Sequence, residues 1–194
     1  MNKCLVFIVE GDTEYEFYKQ LVQYIKRKHQ VTKFSTQIEY LDVKGVGGFK
    51  NIAGRKFEKV VKKKYGYDCE YTVVLCRDTD VFELSPKPPV KWEDVKKDLR
   101  EKGVRHIIDV KARHSIEDWF LYDLDGIVNF LNVQQPKNLK GKNGFEKLQN
   151  LYKKANKVYY KGSKSNGLIQ KLSMDVICQN VDRELKPLYT ALGV

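Results

Sequence analysis

Acidic side chains stand behind three apolar runs of this chain, and carboxylates gathered in that way can hold cations. The run 3–9 (KCLVFIV) leads into Glu10, Asp12 and Glu14, the run 71–76 (YTVVLC) into Asp78 and Asp80, and the run 104–110 (VRHIIDV) is followed shortly by Glu117. Glu14 lies one helical turn beyond Glu10 and can share its rim. Two unscreened carboxylates about 4 Å apart repel by roughly 4 kcal/mol at an effective dielectric near 20, so five at one edge require a divalent cation or partial protonation. An all-oxygen ligand set favours Mg²⁺ or Mn²⁺ with waters completing the shell, which makes Glu10, Glu14, Asp78, Asp80 and Glu117 the candidate ligands. Each acid also has a plainer account. Glu14 suits a helix dipole, Asp78-Thr79-Asp80 suits a strand-exit turn, and Glu117 suits the first turn of its helix. Together, at successive strand ends, they favour a site, with Asp12 left to cap its helix.

The elements that must position these groups follow from hydrophobic periodicity. Runs 3–9, 71–76 and 104–110 read as strands, and 37–43 (QIEYLDV) alternates as a half-buried one. Helical spacing covers 13–28, 49–64, 92–102 and 115–131. Gly103 is expected to close the third helix in a left-handed cap, and Ser115 with Asp118 suits the start of the fourth as a variant capping box. The proline-bearing stretch 85–90 reads as a loop. Repeating strand–helix units predict an α/β fold with a mainly parallel central sheet of about four strands and helices on both faces. Beyond Pro136 only helix and loop signals remain, so the expected organisation is a catalytic domain over 1–135 and a basic helical extension over 136–194 packed on it. Ligands in such sheets collect at the carboxyl ends of the strands, where the acids lie.

The 194 residues suffice for one domain with a sizeable core, and their 42% hydrophobic and 31% charged content is globular. No apolar run has the length of a membrane span, no signal peptide is evident, and Cys4, Cys69, Cys76 and Cys178 form no CxxC pair. A cytoplasmic protein with reduced, core-filling thiols is expected. The net charge is +11, and the stretch 137–171 carries ten lysines against one acid, Glu146, a net +9. This is either a solvated lysine-coated surface or a track for a polyanion. Gly45-Val46-Gly47-Gly48 before Lys50 lacks the ending of a Walker motif, and reads as a plain turn or as a phosphate cradle using Lys50. Near the rim, Arg113 is the stronger phosphate contact and His114 the weaker. Tyr159 and Tyr160, beside Lys157 and Lys161, are either core residues or a base-stacking platform, and Trp119 and Phe120 read as core.

Glu10-Gly11-Asp12-Thr13-Glu14 after one strand, Asp78-Thr79-Asp80 after another, and Ile116-Glu117-Asp118-Trp119 later on together resemble the Toprim domain, in particular the OLD and RloB-like Toprim nucleases associated with phage defence. The resemblance covers roughly 3–124, and more loosely extends to Lys161. It implies a nuclease in which Glu10 serves as general acid/base or metal ligand, Asp78 and Asp80 hold Mg²⁺, and Glu14 and Glu117 complete a set suited to two ions. It also implies a C-terminal lysine that stabilises the phosphoryl charge, assigned to Lys161 with Lys164 in reserve. OLD proteins usually carry an ATPase domain, for which this sequence has no room, so an ATPase or another defence-system protein is an expected partner.

The expected function is therefore metal-dependent phosphodiester cleavage in DNA or RNA, with Lys50, Arg113, Lys157, Lys161 and Lys164 as nucleic-acid contacts. Two other readings compete. One takes Arg77-Asp78-Thr79-Asp80-Val81 as a haloacid-dehalogenase-like phosphatase motif with Asp78 as nucleophile, which leaves Glu10 and Glu14 unexplained. The other is a non-catalytic nucleic-acid-binding subunit. Monomer and oligomer are both compatible with the sequence.

Overall fold

The computed structural model describes residues 2–31, 36–79 and 90–194. Asp80 and all of the expected 85–90 loop except Val90 lie outside the described residues. The chain runs β1 (Lys3–Val9), α1 (Asp12–Lys28), β2 (Gln37–Asp42), α2 (Val46–Asn51), α3 (Ala53–Lys56), a π-helical stretch (Phe57–Lys62), α4 (Lys63–Tyr65), β3 (Glu70–Asp78), α5 (Trp92–Glu101) and β4 (Val104–Ala112). It continues with α6 (Ile116–Phe120), a 3-10 turn (Leu121–Asp123), α7 (Leu124–Leu131), α8 (Gly144–Lys154), a second 3-10 turn (Gly162–Ser165), α9 (Asn166–Ile169), α10 (Met174–Asn180) and α11 (Asp182–Leu192). The four strands form one all-parallel sheet in the order β2-β1-β3-β4, as the strand–helix alternation predicts.

Alternation along β1 builds both layers. Leu5, Phe7 and Val9 face one side, with Phe17, Leu21 and Ile25 of α1, Val74 and Cys76 of β3, and the helices from α6 onward. Cys4, Val6 and Ile8 face the other, with Phe49, Phe57, Val61, Val95 and Leu99 from the helices between β2 and β4. A strand buried on both faces needs the uninterrupted apolar run that the sequence shows. Trp119 and Phe120 are buried in the first core, and the four cysteines are free and buried.

Two long helices expected from the sequence are broken. Over 46–65 the helix changes pitch, and Gly48 packs so close to Val43 that a Cβ there would lie 1.8 Å from the Val43 carbonyl oxygen. That glycine serves packing. In the 115–131 stretch, buried Asp123 interrupts the helix by accepting from the Gly126 N–H (3.1 Å) to cap α7 and from the Ser173 N–H (2.6 Å), tying the C-terminal segment to the fold. Gly103 has φ 93°, as a left-handed closure of α5 requires. Leu148, Leu151, Leu168, Ile177, Leu185 and Leu188 from 136–194 belong to the same core as Phe7 and Phe17. No helix among the described residues is long and apolar enough to cross a membrane.

Candidate active site

β1 connects outward to β2 on one side while β3 lies on its other side, so the direction of winding reverses between β1 and β3. The crevice at such a reversal, beyond the carboxyl ends of the strands, is where open α/β sheets bind ligands. Glu10 follows β1 directly and Asp78 ends β3.

Glu14 sits in the first turn of α1 and is buried. Asp12 does not cap this helix. Gly11 is the cap, while Asp12 is the first helical residue and pairs with Lys44 at 3.3 Å. Asp78 is held in place by its neighbour. The Thr79 N–H and hydroxyl both donate to the Ala112 carbonyl (2.9 and 3.2 Å), and the Thr79 oxygen accepts from the His114 N–H at 3.0 Å. His114 adopts φ 67° there, a left-handed turn that delivers Ser115 to the start of α6. Ser115 is the cap as expected, but its hydroxyl donates to the Asp118 side chain (2.9 Å) rather than accepting from the backbone.

Glu117 is 0% exposed. Its Oε1 receives Lys161 Nζ at 3.1 Å and the Tyr159 hydroxyl at 3.4 Å, while Oε2 is buried with no hydrogen-bond partner among the described residues. Helix α8 begins against this backbone. A Cβ on Gly144 would lie 2.5 Å from the Asp118 nitrogen, so only glycine permits the approach.

The acids sense one another. Burial, reinforced by the charges of Glu10 and Glu117, pushes Glu14 up to about 7 against the pull of a backbone hydrogen bond and of Lys161. Burial, then Glu14 and Glu117, holds Asp78 well above the usual carboxylate range, with Lys161 opposing. For Lys161, burial favours the neutral amine, but Glu117, Asp78 and Glu14 outweigh it and raise its pKa, so the ammonium stays charged. Four expected groups, Glu14, Asp78, Glu117 and Lys161, thus act on one another from four separate elements, and Glu10 acts on Glu14 and Asp78.

Among the described residues no three His, Cys, Asp or Glu side chains converge on one point as a finished ligand shell. The donor chemistry nonetheless fits a hard divalent cation. The set is all oxygen, Glu117 Oε2 has an unsatisfied lone pair, and burial, with repulsion from neighbouring acids added, raises Glu14 and Asp78.

Of the other expected contacts, Lys164 stands beside the cleft-lining Tyr160, while Lys157 and Lys50 lie on other surfaces. Lys164 Nζ lies 4.4 Å from the centroid of the Tyr160 ring, and Lys157 Nζ lies 5.8 Å from that of Phe130. Lys50 is exposed on α2. A cleft of about 850 Å³ opens onto Asp78, Glu117 and Lys161, and His114 lines it where Arg113 does not. Tyr159 is a core residue, 1% exposed, whereas Tyr160 is 51% exposed.

A closed ring of hydrogen bonds that the sequence reading missed anchors the Lys161 loop. The Gly162 N–H donates to Thr13 Oγ1 (2.6 Å), the Ser165 hydroxyl donates to the Gly162 carbonyl (2.6 Å), and Thr13 Oγ1 and Ser165 Oγ are 3.2 Å apart. With the Ser165 proton committed to Gly162, Thr13 is the donor in that last bond. Both hydroxyls are buried. The only signal for this pairing was a threonine between Glu10 and Glu14, in a position that suits any helix start.

No protein-family model, curated protein or solved structure matches this chain.

Proposed function

We propose that the chain is a divalent-metal-dependent nuclease acting on DNA or RNA. The observation that carries this reading is that Asp78, Glu117 and Lys161 share one cleft at the carboxyl edge of a parallel sheet, where burial first, then neighbouring acids that include Glu14, holds Asp78 well above its ordinary range. Such perturbation in a cleft is what catalytic groups require. Glu10, Glu14, Asp78 and Glu117 would hold Mg²⁺ or Mn²⁺; Asp80, also expected as a ligand, lies outside the described residues. The chemistry such an ion would supply is Lewis acidity toward a phosphoryl oxygen and toward water.

The chain's own groups supply the rest. Lys161, kept protonated by its carboxylate neighbours, presents a fixed positive charge to the oxygens on which negative charge grows in the transition state. Tyr159 restrains the Glu117 carboxylate, and the Thr13–Ser165–Gly162 ring holds the lysine's backbone. The lysine-rich 137–171 stretch provides the electrostatic attraction for a polyanion. A role in phage defence, with an ATPase or another defence protein as partner, belongs to the same reading and rests on the Toprim resemblance alone.

The test is incubation of purified protein with plasmid, linear duplex, single strands and bulk tRNA, with and without Mn²⁺. Cleavage of at least one substrate, dependent on the ion, is expected. Intact substrates throughout would refute the reading.

A further inference from the structure

We propose that the cleft beside these carboxylates seats an unpaired nucleotide, so that the substrate of this site is single-stranded nucleic acid. The proposal rests on reading the cleft as a nucleic-acid site and goes beyond that reading by naming the form of the strand. The cleft, about 850 Å³, is lined by Phe145, Val158 and Tyr160 as well as by Asp78, Glu117 and Lys161, with Lys142 and Lys147 also on its wall. This size lies within the range of pockets that enclose small ligands.

Over 157–161 Tyr159 alone is buried. Tyr159 turns inward to Glu117 and is 1% exposed, while Val158 and Tyr160 turn outward at 59% and 51%. Leaving two large apolar side chains in water beside a charged site costs solvation free energy, and core packing, which explains Tyr159, does not explain them. Lys164 Nζ stands 4.4 Å from the Tyr160 ring centroid and Lys161 Nζ 5.7 Å from that of Phe145. Each aromatic surface is therefore paired with a cation.

Aromatic rings interleaved with ammonium groups match the two halves of a nucleotide, a π-face to stack and a phosphate to neutralise. In a duplex, base faces are covered by their neighbours, and a ring at the wall of a cleft meets only base edges or backbone. An unstacked base offers its face to Tyr160 while its phosphate reaches toward Lys161. Lysines on the wall match the polyanion in charge, and an acidic protein segment would leave the rings unused.

The test is fluorescence anisotropy in EDTA, where binding is read without cleavage. The probes are a labelled oligothymidylate, a labelled oligouridylate and a blunt DNA duplex of equal length. Wild type is expected to bind at least one single strand more tightly than the duplex. Tyr160→Ala is expected to weaken that binding by about tenfold, the loss of one base–aromatic stack, while Tyr160→Phe retains it and duplex binding stays unchanged. Tyr160 is exposed, and an unaltered melting temperature verifies that the variant folds. Equal or tighter duplex binding by wild type, or full single-strand affinity in Tyr160→Ala, overturns the proposal. Cleavage is scored separately. A wild type that binds single strands through Tyr160 yet cuts nothing sinks the nuclease reading and leaves this one, whereas cutting that ignores Tyr160 does the reverse.

Discussion

Glu14 shows how one buried acid can cost stability. Its ordinary pKa is 4.5 and its folded value is about 7. Between these values the folded protein holds a proton that the unfolded chain has released, so without metal, stability falls as pH rises from 4.5 to 7, by on the order of 3 kcal/mol, and stays low above 7. Glu14→Gln removes that penalty. In calorimetry without divalent ions its melting temperature should exceed wild type by roughly 5–10 °C at pH 8, with little difference near pH 4, while cleavage is lost. Equal melting at pH 8 would show that burial and the neighbouring acids do not raise Glu14. At this scale the acids were legible because each follows its strand within a few residues, so local order fixes the place where they emerge. Lys161 was not separable from the neighbouring lysines by composition. It was assigned by resemblance, and the distances now distinguish it, since Lys161 reaches Glu117 while Lys164 lies over Tyr160 and Lys157 over Phe130.

The site depends on contacts between elements that are remote in sequence. Thr13 at the start of α1 and Ser165 just before α9 are 152 positions apart, and nothing in hydrophobic periodicity predicts that they meet. The strand runs were readable because alternation and apolar runs are local properties. The break at 121–123 was not, because Asp123 answers to Ser173, 50 positions away. Thr13 is a positioning residue for Lys161. Thr13→Val leaves the Gly162 N–H without its acceptor, an expected loss of about 1–3 kcal/mol, and frees the loop that carries the lysine. The expected result is a lower melting temperature and a fall in kcat with KM little changed, both restored in Thr13→Ser, which keeps the hydroxyl. A variant Thr13→Val with wild-type kcat would contradict the clamp.

At the scale of the whole molecule, the C-terminal third does two jobs. Its surface carries the lysine excess, and its apolar side chains complete the core on one face of the sheet. A chain cut after residue 135 would expose Phe17, Trp119 and Ile127, which now pack with Leu148, Leu168 and Leu188 in one core. That fragment should show no cooperative melting transition by circular dichroism. A sharp two-state melt would mean that 1–135 folds unaided. The same packing brings Lys161 to acids set by the first, third and fourth strands, so fold and site are assembled together. The central claim, that this assembly cleaves phosphodiesters through its carboxylates, is tested most directly by comparing wild type with Asp78→Asn on a substrate cut in Mn²⁺, after melting curves verify that both are folded. The account predicts a rate lowered at least about 100-fold, as expected when a catalytic group is removed. Cleavage by Asp78→Asn at the wild-type rate would contradict it.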